Sequence, residues 1–190
     1  MKAAALILAA GESRRMGRAK ALLTLDGASF VNGLIQSFSA RCSPVIVVLG
    51  HDPEPIRAAL NPSATVVINP HYRQGQLTSM QCGLRAVPAD ADRVIFTLVD
   101  HPRVSASTID ALLESDGVLS IPVCDGRKGH PICFRKELIP EFLELPPDSQ
   151  ARVVIHRHAD ETSYVPVEDS GILDDVDDPA AYERLLARSL

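Results

Sequence analysis

The amino-acid sequence predicts an α/β fold, a mainly parallel sheet covered by helices on both faces, and three observations carry that prediction. Apolar runs recur at residues 3–10, 45–49, 65–68 and 93–99, closed by Gly11, Gly50, Asn69-Pro70 and Asp100, which is the pattern of buried strands bounded by turns. Segments with helical spacing lie between these runs, and strands that are apolar along their whole length need cover on both faces. The first run empties into a glycine-rich basic loop and the fourth into an acidic residue. In such sheets ligands sit beyond the carboxyl ends of the strands, so the two could face one crevice.

Taken in order, the strand over 3–10 (AAALILAA) stops where the composition turns small, polar and basic. Phe30, Val31, Leu34, Ile35 and Phe38 then share one helical face, with Ser29 as N-cap and a break before Pro44. Residues 45–49 form the second strand, 56–60 a second helix and 65–68 a third strand. A loop over 71–75 precedes a helix over 76–87, and 93–99 (RVIFTLV) is the next strand. Residues 105–113 read as a helix capped by Ser or Thr. Residues 118–123, the turn 125–129 and residues 130–134 read as a hairpin-like excursion lying over the crevice. Residues 137–158 form two helical pieces broken at Pro146-Pro147, and 162–167 a strand. Asp178 caps a last helix with Pro179 at its first position and Tyr182, Leu185 and Leu186 along it. No repeat, low-complexity stretch or linker interrupts the chain, so one domain over 1–190 is expected.

With 46% hydrophobic and 23% charged residues, the 190-residue chain can bury a core without staples. A net charge of −5 argues against nucleic acid or anionic membrane as generic partners, which need a positive surface. Cys42, Cys82, Cys124 and Cys133 form no CxxC pair and are expected as buried free thiols. No signal peptide is evident and no apolar run approaches the ~20 residues of a membrane span, so a cytoplasmic, reducing setting is expected.

Positive charge is instead local. Between Gly11 and Lys20 the chain carries Arg14, Arg15, Arg18 and Lys20, while Gly11 and Gly17 allow backbone N–H groups to approach an anion. A polyphosphate is the expected guest. The spacing fits neither a Walker A loop, since five residues separate the glycines and Arg18-Ala19 follows, nor the dinucleotide fingerprint, which Glu12-Ser13 breaks. Three further constellations stand out: GQLTS at 75–79, Asp100-His101-Pro102, and the acidic run 174–178. Magnesium (Mg2+) is usually held by one or two carboxylates together with phosphate oxygens, so two aspartates from distant strand ends would suffice.

Leu8, Ala9, Ala10, Gly11, Ser13, Arg15, Met16, Gly17 and Lys20 match the signature L-A-A-G-x-S-x-R-M-G-x-x-K, and in this the chain resembles the MobA-like nucleotidyltransferases. The resemblance spans residues 2–186 and is nearest to the MocA branch, the molybdenum cofactor cytidylyltransferases. It implies a Rossmann-like three-layer sandwich with a mixed sheet, of the nucleotide-diphospho-sugar transferase type. It places the nucleotide against Leu8, Ala9, Ala10, Gly11, Ser13, Arg14, Arg15, Gly17, Lys20, Gly75, Ser79 and Gly83. Magnesium, or manganese (Mn2+) in its place, would lie on Asp100 and Asp177, the register favouring Asp177 over Asp175. The acceptor would meet His101, Pro102 and the G-x-x-G-H-P match at Gly129, His130 and Pro131. Two roles stay open for His130, acceptor contact or packed strand residue, whereas His51, His71, His156 and His158 read as surface imidazoles. One departure concerns acceptor binding: where the family has G-D-x-G-A-R, Asp148, Ala151 and Arg152 survive here but both glycines are missing.

The implied reaction is attack by a terminal phosphate of the acceptor on the α-phosphorus of a nucleoside triphosphate, with pyrophosphate leaving. That nucleophile is already anionic, so catalysis is alignment and charge stabilisation, with Arg15, Lys20 and Asp100 as the expected catalytic groups. Ala10 at the loop entrance favours CTP over GTP within the resemblance. The implied partners are the nucleoside triphosphate, a molybdopterin-type acceptor, and a receiving molybdoenzyme or its cofactor chaperone. The alternatives are guanylyl transfer, transfer to a sugar or alcohol phosphate, or an idle nucleotide-binding module, against which the presence of both aspartates weighs.

Overall fold

The computed structural model describes residues 1–188. Its strands and helices follow in the order β1 (Ala3–Ala9), β2 (Thr24–Leu25), β3 (Ala28–Ser29), α1 (Phe30–Ser39), β4 (Val45–Leu49), α2 (Pro53–Ala59), β5 (Thr65–Ile68), α3 (Gln76–Leu84), β6 (Arg93–Leu98), α4 (Ala106–Glu114), β7 (Leu119–Cys124), β8 (Arg127–Lys128), β9 (Ile132–Arg135), α5 (Ile139–Glu144), α6 (Arg152–Arg157), β10 (Thr162–Pro166) and α7 (Pro179–Ala187). The sheet runs β10-β7-β9-β6-β1-β4-β5, with β8 added to β7. Its centre is parallel: β1 pairs with β4 and β6, with Leu8 opposite Val48 on one side and Leu98 on the other. Within this sheet β8 and β9 run antiparallel to their neighbours.

Alternation along β1 builds two cores. Ala3, Ala5, Ile7 and Ala9 face one layer, where Leu34, Ile35 and Phe38 of α1 and Ile109 and Leu112 of α4 pack. Leu6 and Leu8 face the other, with Leu77, Met80 and Leu84 of α3, Phe142 of α5 and Val154 of α6. This is the expected α/β sandwich, its central strands β1, β4 and β6 buried on both faces. The caps read from the sequence form: Ser29, Ser105 and Asp178 accept from the N–H of Asn32, Thr108 and Ala181. Cys42, Cys124 and Cys133 are buried free thiols, and Cys82 is half-buried. No helix among the described residues is long and apolar enough to cross a membrane.

Local structure differs from expectation in several places, beginning with α2, which starts at Pro53 rather than at residue 56 because Pro53 takes the first helical position. Helix α3 ends at Leu84 rather than Val87, because a turn over Arg85–Val87 takes its last hydrogen bonds from Gln81, Gly83 and Leu84 carbonyls. The returning strand does not lie over the crevice: β9 enters the sheet between β6 and β7, its Cys133 and Phe134 wholly buried. A short β2–β3 hairpin, unforeseen in the sequence, leads into α1.

Gly83 lies where α3 crosses the sheet, and a Cβ there would overlap Leu6 Cδ1 and stand 2.7 Å from Val48 Cγ2. Gly83→Val forces both core side chains aside, an overpacking cost of roughly 1–3 kcal/mol. Thermal unfolding followed by circular dichroism is expected to show Tm lowered by about 3–10 °C; an unchanged Tm would show that α3 can ride away from the sheet freely.

Candidate functional site

Because β1 and β6 are parallel neighbours, the loops that follow them leave the sheet at the same end. Near that end the Val176 N–H donates to the Asp100 carbonyl at 2.9 Å. Val176 is buried, so its neighbours Asp175 and Asp177 flank Asp100. Lys20 reaches between the carboxylates: its Nζ donates to Asp177 Oδ1 at 2.6 Å and to Asp100 Oδ2 at 3.0 Å. Its side chain is only 12% exposed. Burial works against the charge on Lys20, but Asp177 and Asp100 outweigh it and hold the ammonium above its ordinary pKa. Hydrogen bonding from Lys20 holds the Asp177 carboxyl below the usual range despite partial burial. Arg15 Nη2 donates to the other oxygen of Asp177 at 2.8 Å. The two aspartates expected to meet across the crevice do meet, bridged by the lysine of the glycine-rich loop.

That loop is shaped by its own hydrogen bonds. Ser13, at φ +50°, offers its carbonyl to the N–H groups of Met16 and Gly17 and its Oγ to the N–H of Lys20 at 3.1 Å. Gly17, at φ +71°, takes the left-handed turn that glycine permits without strain. The loop's cations are not free: Glu12 accepts from Arg14 and from Arg73, while Arg18 sits 5.5 Å over the Tyr182 ring. Across the cleft, buried Asn69 donates to the hydroxyls of Thr78 and Ser79, both at 2.9 Å, and fixes the start of α3.

The cleft encloses about 600 Å³, within the range of small-molecule sites. Of the expected nucleotide-binding residues, Leu8, Ala9, Ala10, Gly11, Ser13, Arg14, Arg15, Gly17, Lys20 and Ser79 line it, with Asp100 and Asp177. Gly75 and Gly83 do not. Gly75, at φ +126°, makes the turn into α3, and Gly83 exists for helix–sheet contact. The expected acceptor residues lie outside the cleft. Pro102 lines a second hollow of about 390 Å³. Pro131 is buried, and Gly129 is pressed on the carbonyl of Ile172, which also accepts from the His130 N–H. His130 is packed, its ring edge-on to Phe96 at 5.7 Å and 4.6 Å from the His101 ring. Burial, then the neighbouring His101, push its pKa down to about 4, so the ring is neutral near pH 7.

Several cleft residues were not anticipated. Glu12 orders the loop cations. His51 donates its N–H to the Ala10 carbonyl at 3.1 Å, and its ring Nδ1 lies 3.1 Å from the Tyr72 hydroxyl. Gln76 joins them in the lining. Gly50-His51 directly follows a strand end, the same signal that pointed to Gly11 and Asp100. Asp175 also stands close to Asp100, and burial followed by repulsion from Asp100 and Asp177 raises its pKa.

Comparison with known proteins bears on this geometry. The model of the MobA-like NTP transferase domain matches residues 5–162. The chain is 29% identical over 178 residues to a molybdenum cofactor cytidylyltransferase of Escherichia coli, covering 92% of this chain and 90% of that one. It is 31% identical over 186 residues to a probable molybdenum cofactor guanylyltransferase of Mycobacterium marinum, covering 93% and 90%. The crystal structure of Rv0371c from Mycobacterium tuberculosis superposes with a TM-score of 0.88 at 25% identity over 98% of both chains. Its complex with manganese superposes at 0.81 and 22% identity, over 98% and 99%.

Lys20→Met removes the ammonium that bridges Asp100 and Asp177 and leaves Arg15 as the cation on Asp177. Asp177, with its folded pKa depressed, contributes stability that is present above the unfolded value of about 3.9 and is lost as pH falls through the folded one. Urea unfolding is therefore expected to show the variant less stable than wild type at pH 7, with the gap narrowing below about pH 4. A gap independent of pH would mean the bridge carries no electrostatic stabilisation.

Proposed function

The chain belongs to the MobA-like NTP transferase family, and from that premise we propose that it is a single-domain cytidylyltransferase joining CMP from CTP to the terminal phosphate of a molybdopterin-type cofactor, with release of pyrophosphate. The observation that carries the reading is the lysine bridge: Lys20, Asp100 and Asp177 converge in a cleft of nucleotide size whose wall is the signature loop. Names borne by the relatives in Escherichia coli and Mycobacterium marinum supply the acceptor class. The second of these supports guanylyl transfer as the competing reading, and Ala10, buried at the cleft wall, favours the cytidylyl one.

The residues fit a hard divalent cation. Asp100 Oδ2 and Asp177 Oδ1 are oxygen donors, and the Lys20 ammonium marks a cation position between them. Magnesium, or manganese as in the complexed mycobacterial structure, would be held by Asp100 and Asp177 and would screen the phosphate charges. The chain's own groups do the rest. Ser13 and Gly17 set the loop so that its amides and Arg15 face the β- and γ-phosphates. Lys20, released from the carboxylates, stabilises the charge that gathers as the α–β bridging bond breaks. An acceptor phosphate oxygen forms the new bond to the α-phosphorus, and no protein base is needed because that oxygen is already anionic.

Pyrophosphate release measured with each nucleoside triphosphate, with and without molybdenum cofactor, tests the reading. CTP with cofactor is expected to give release and Lys20→Ala to reduce turnover about a hundredfold or more, the scale for one lost oxyanion donor. Release only with sugar phosphates, or from no triphosphate, overturns it. Ala10→Gly is expected to shift the ratio of kcat/KM for CTP over GTP towards GTP by roughly tenfold, the scale of one methyl in a pocket; an unmoved ratio removes Ala10 from base selection.

A further inference from the structure

We propose that Asp100, His101 and Asp175 form a binding site for a borderline divalent transition-metal ion, of the manganese, cobalt or zinc type, that loads without nucleotide. The site goes beyond the bridge at Lys20 and rests on the reading above only in sharing Asp100. One ligand atom from each of the three residues lies within 4.8 Å of the others. Metal–ligand bonds of ~2.0–2.2 Å need donors somewhat closer than that, a closure on the order of 1 Å that rotation of the exposed Asp175 side chain supplies.

What separates this trio from an ordinary acidic surface is that its lone pairs are spare. Asp100 divides its oxygens: Oδ2 accepts from Lys20, whereas Oδ1 is buried with no hydrogen-bond partner among the described residues. His101 Nδ1 is likewise buried and without a partner. Asp175 is exposed and has neither ion pair nor hydrogen bond among the described residues, although it feels the charge of Asp100 and Asp177. Two buried, unpartnered polar atoms and an exposed carboxylate make a donor set that the protein itself does not satisfy.

The frame around the trio is rigid. Val176 N–H to Asp100 C=O at 2.9 Å fixes the approach of Asp175, and His101 N–H to Leu98 C=O at 3.1 Å fixes the histidine's backbone. The His130 ring, 4.6 Å from that of His101 and braced on Phe96, limits rotation of the imidazole, as outer residues commonly do around metal-ligating histidines. An imidazole donor selects against magnesium, which prefers oxygen and water, and for ions that accept nitrogen. Lys20 meanwhile fills the position between Asp100 and Asp177, so an ion offered without nucleotide is left the donors on the His101 side.

Titration of the metal-free protein with cobalt(II), manganese(II) or magnesium, without nucleotide, tests this by calorimetry and by cobalt visible absorption. Wild type is expected to bind one cobalt at least tenfold more tightly than magnesium. His101→Gln and Asp175→Asn should each weaken cobalt by tenfold or more, and Asp177→Asn should leave it within twofold. Circular dichroism confirms that each variant is folded, and Asp175, being exposed, is the substitution the fold tolerates most readily. No cobalt binding by wild type, binding indifferent to both His101→Gln and Asp175→Asn, or loss only in Asp177→Asn overturns the proposal. Because nucleotide is absent throughout, failure here leaves the transferase reading standing, and failure of transferase assays leaves this result standing.

Discussion

Three carboxylates held at one end of a closely packed sheet repel one another, and the site is arranged around that repulsion. Asp100 is fixed at the end of β6, and Asp175 and Asp177 are brought to it by the backbone bond from Val176. The Lys20 ammonium offsets two of the three charges at hydrogen-bond distance. A low-dielectric neighbourhood magnifies both the attraction and the repulsion, and the carboxylates hold the lysine charged. The same field makes the position suitable for a metal–triphosphate pair, which brings both a cation for the carboxylates and an anion for the lysine.

Such an exchange requires that the carboxylates stay put while the lysine moves. The anchoring groups are accordingly backbone and core: Val176 and Ile172 are buried, and Ile172 C=O accepts from His130 N–H. Lys20 instead rides on a loop held by Ser13, whose turn depends on two positive φ values. The loop's other cations are held in reserve by Glu12 and Tyr182, arrangements exposed enough for phosphate to compete with them. The site thus pairs acids anchored by backbone and core with a cationic lysine carried on a loop.

Much of this was legible in the sequence because it depends on local pattern. The apolar runs gave β1, β4 and β6, the caps at Ser29, Ser105 and Asp178 formed as read, and the strand-end rule placed Gly11 and Asp100 together. That Asp177 would join them followed from the motif resemblance, since nothing local links residues so far apart in sequence. The insertion of β9 between β6 and β7 was illegible because an antiparallel pair at short spacing reads as a hairpin whether or not another strand claims its far edge. Gly83 was misplaced for a related reason: a glycine that permits helix–sheet contact and one that permits ligand contact look alike until the packing is known. The tethering of Arg73 by Glu12 and the proximity of Asp175 to Asp100 are tertiary facts with no periodic signature.

The most direct measurement is a crystal structure with manganese and a CTP analogue whose α–β bridging oxygen is replaced by methylene. Lys20 Nζ is expected to have left Asp100 and Asp177 for a phosphate oxygen, with manganese between the two carboxylates and the α-phosphorus in the cleft beside the loop. A triphosphate bound elsewhere while Lys20 still spans both carboxylates would contradict the account.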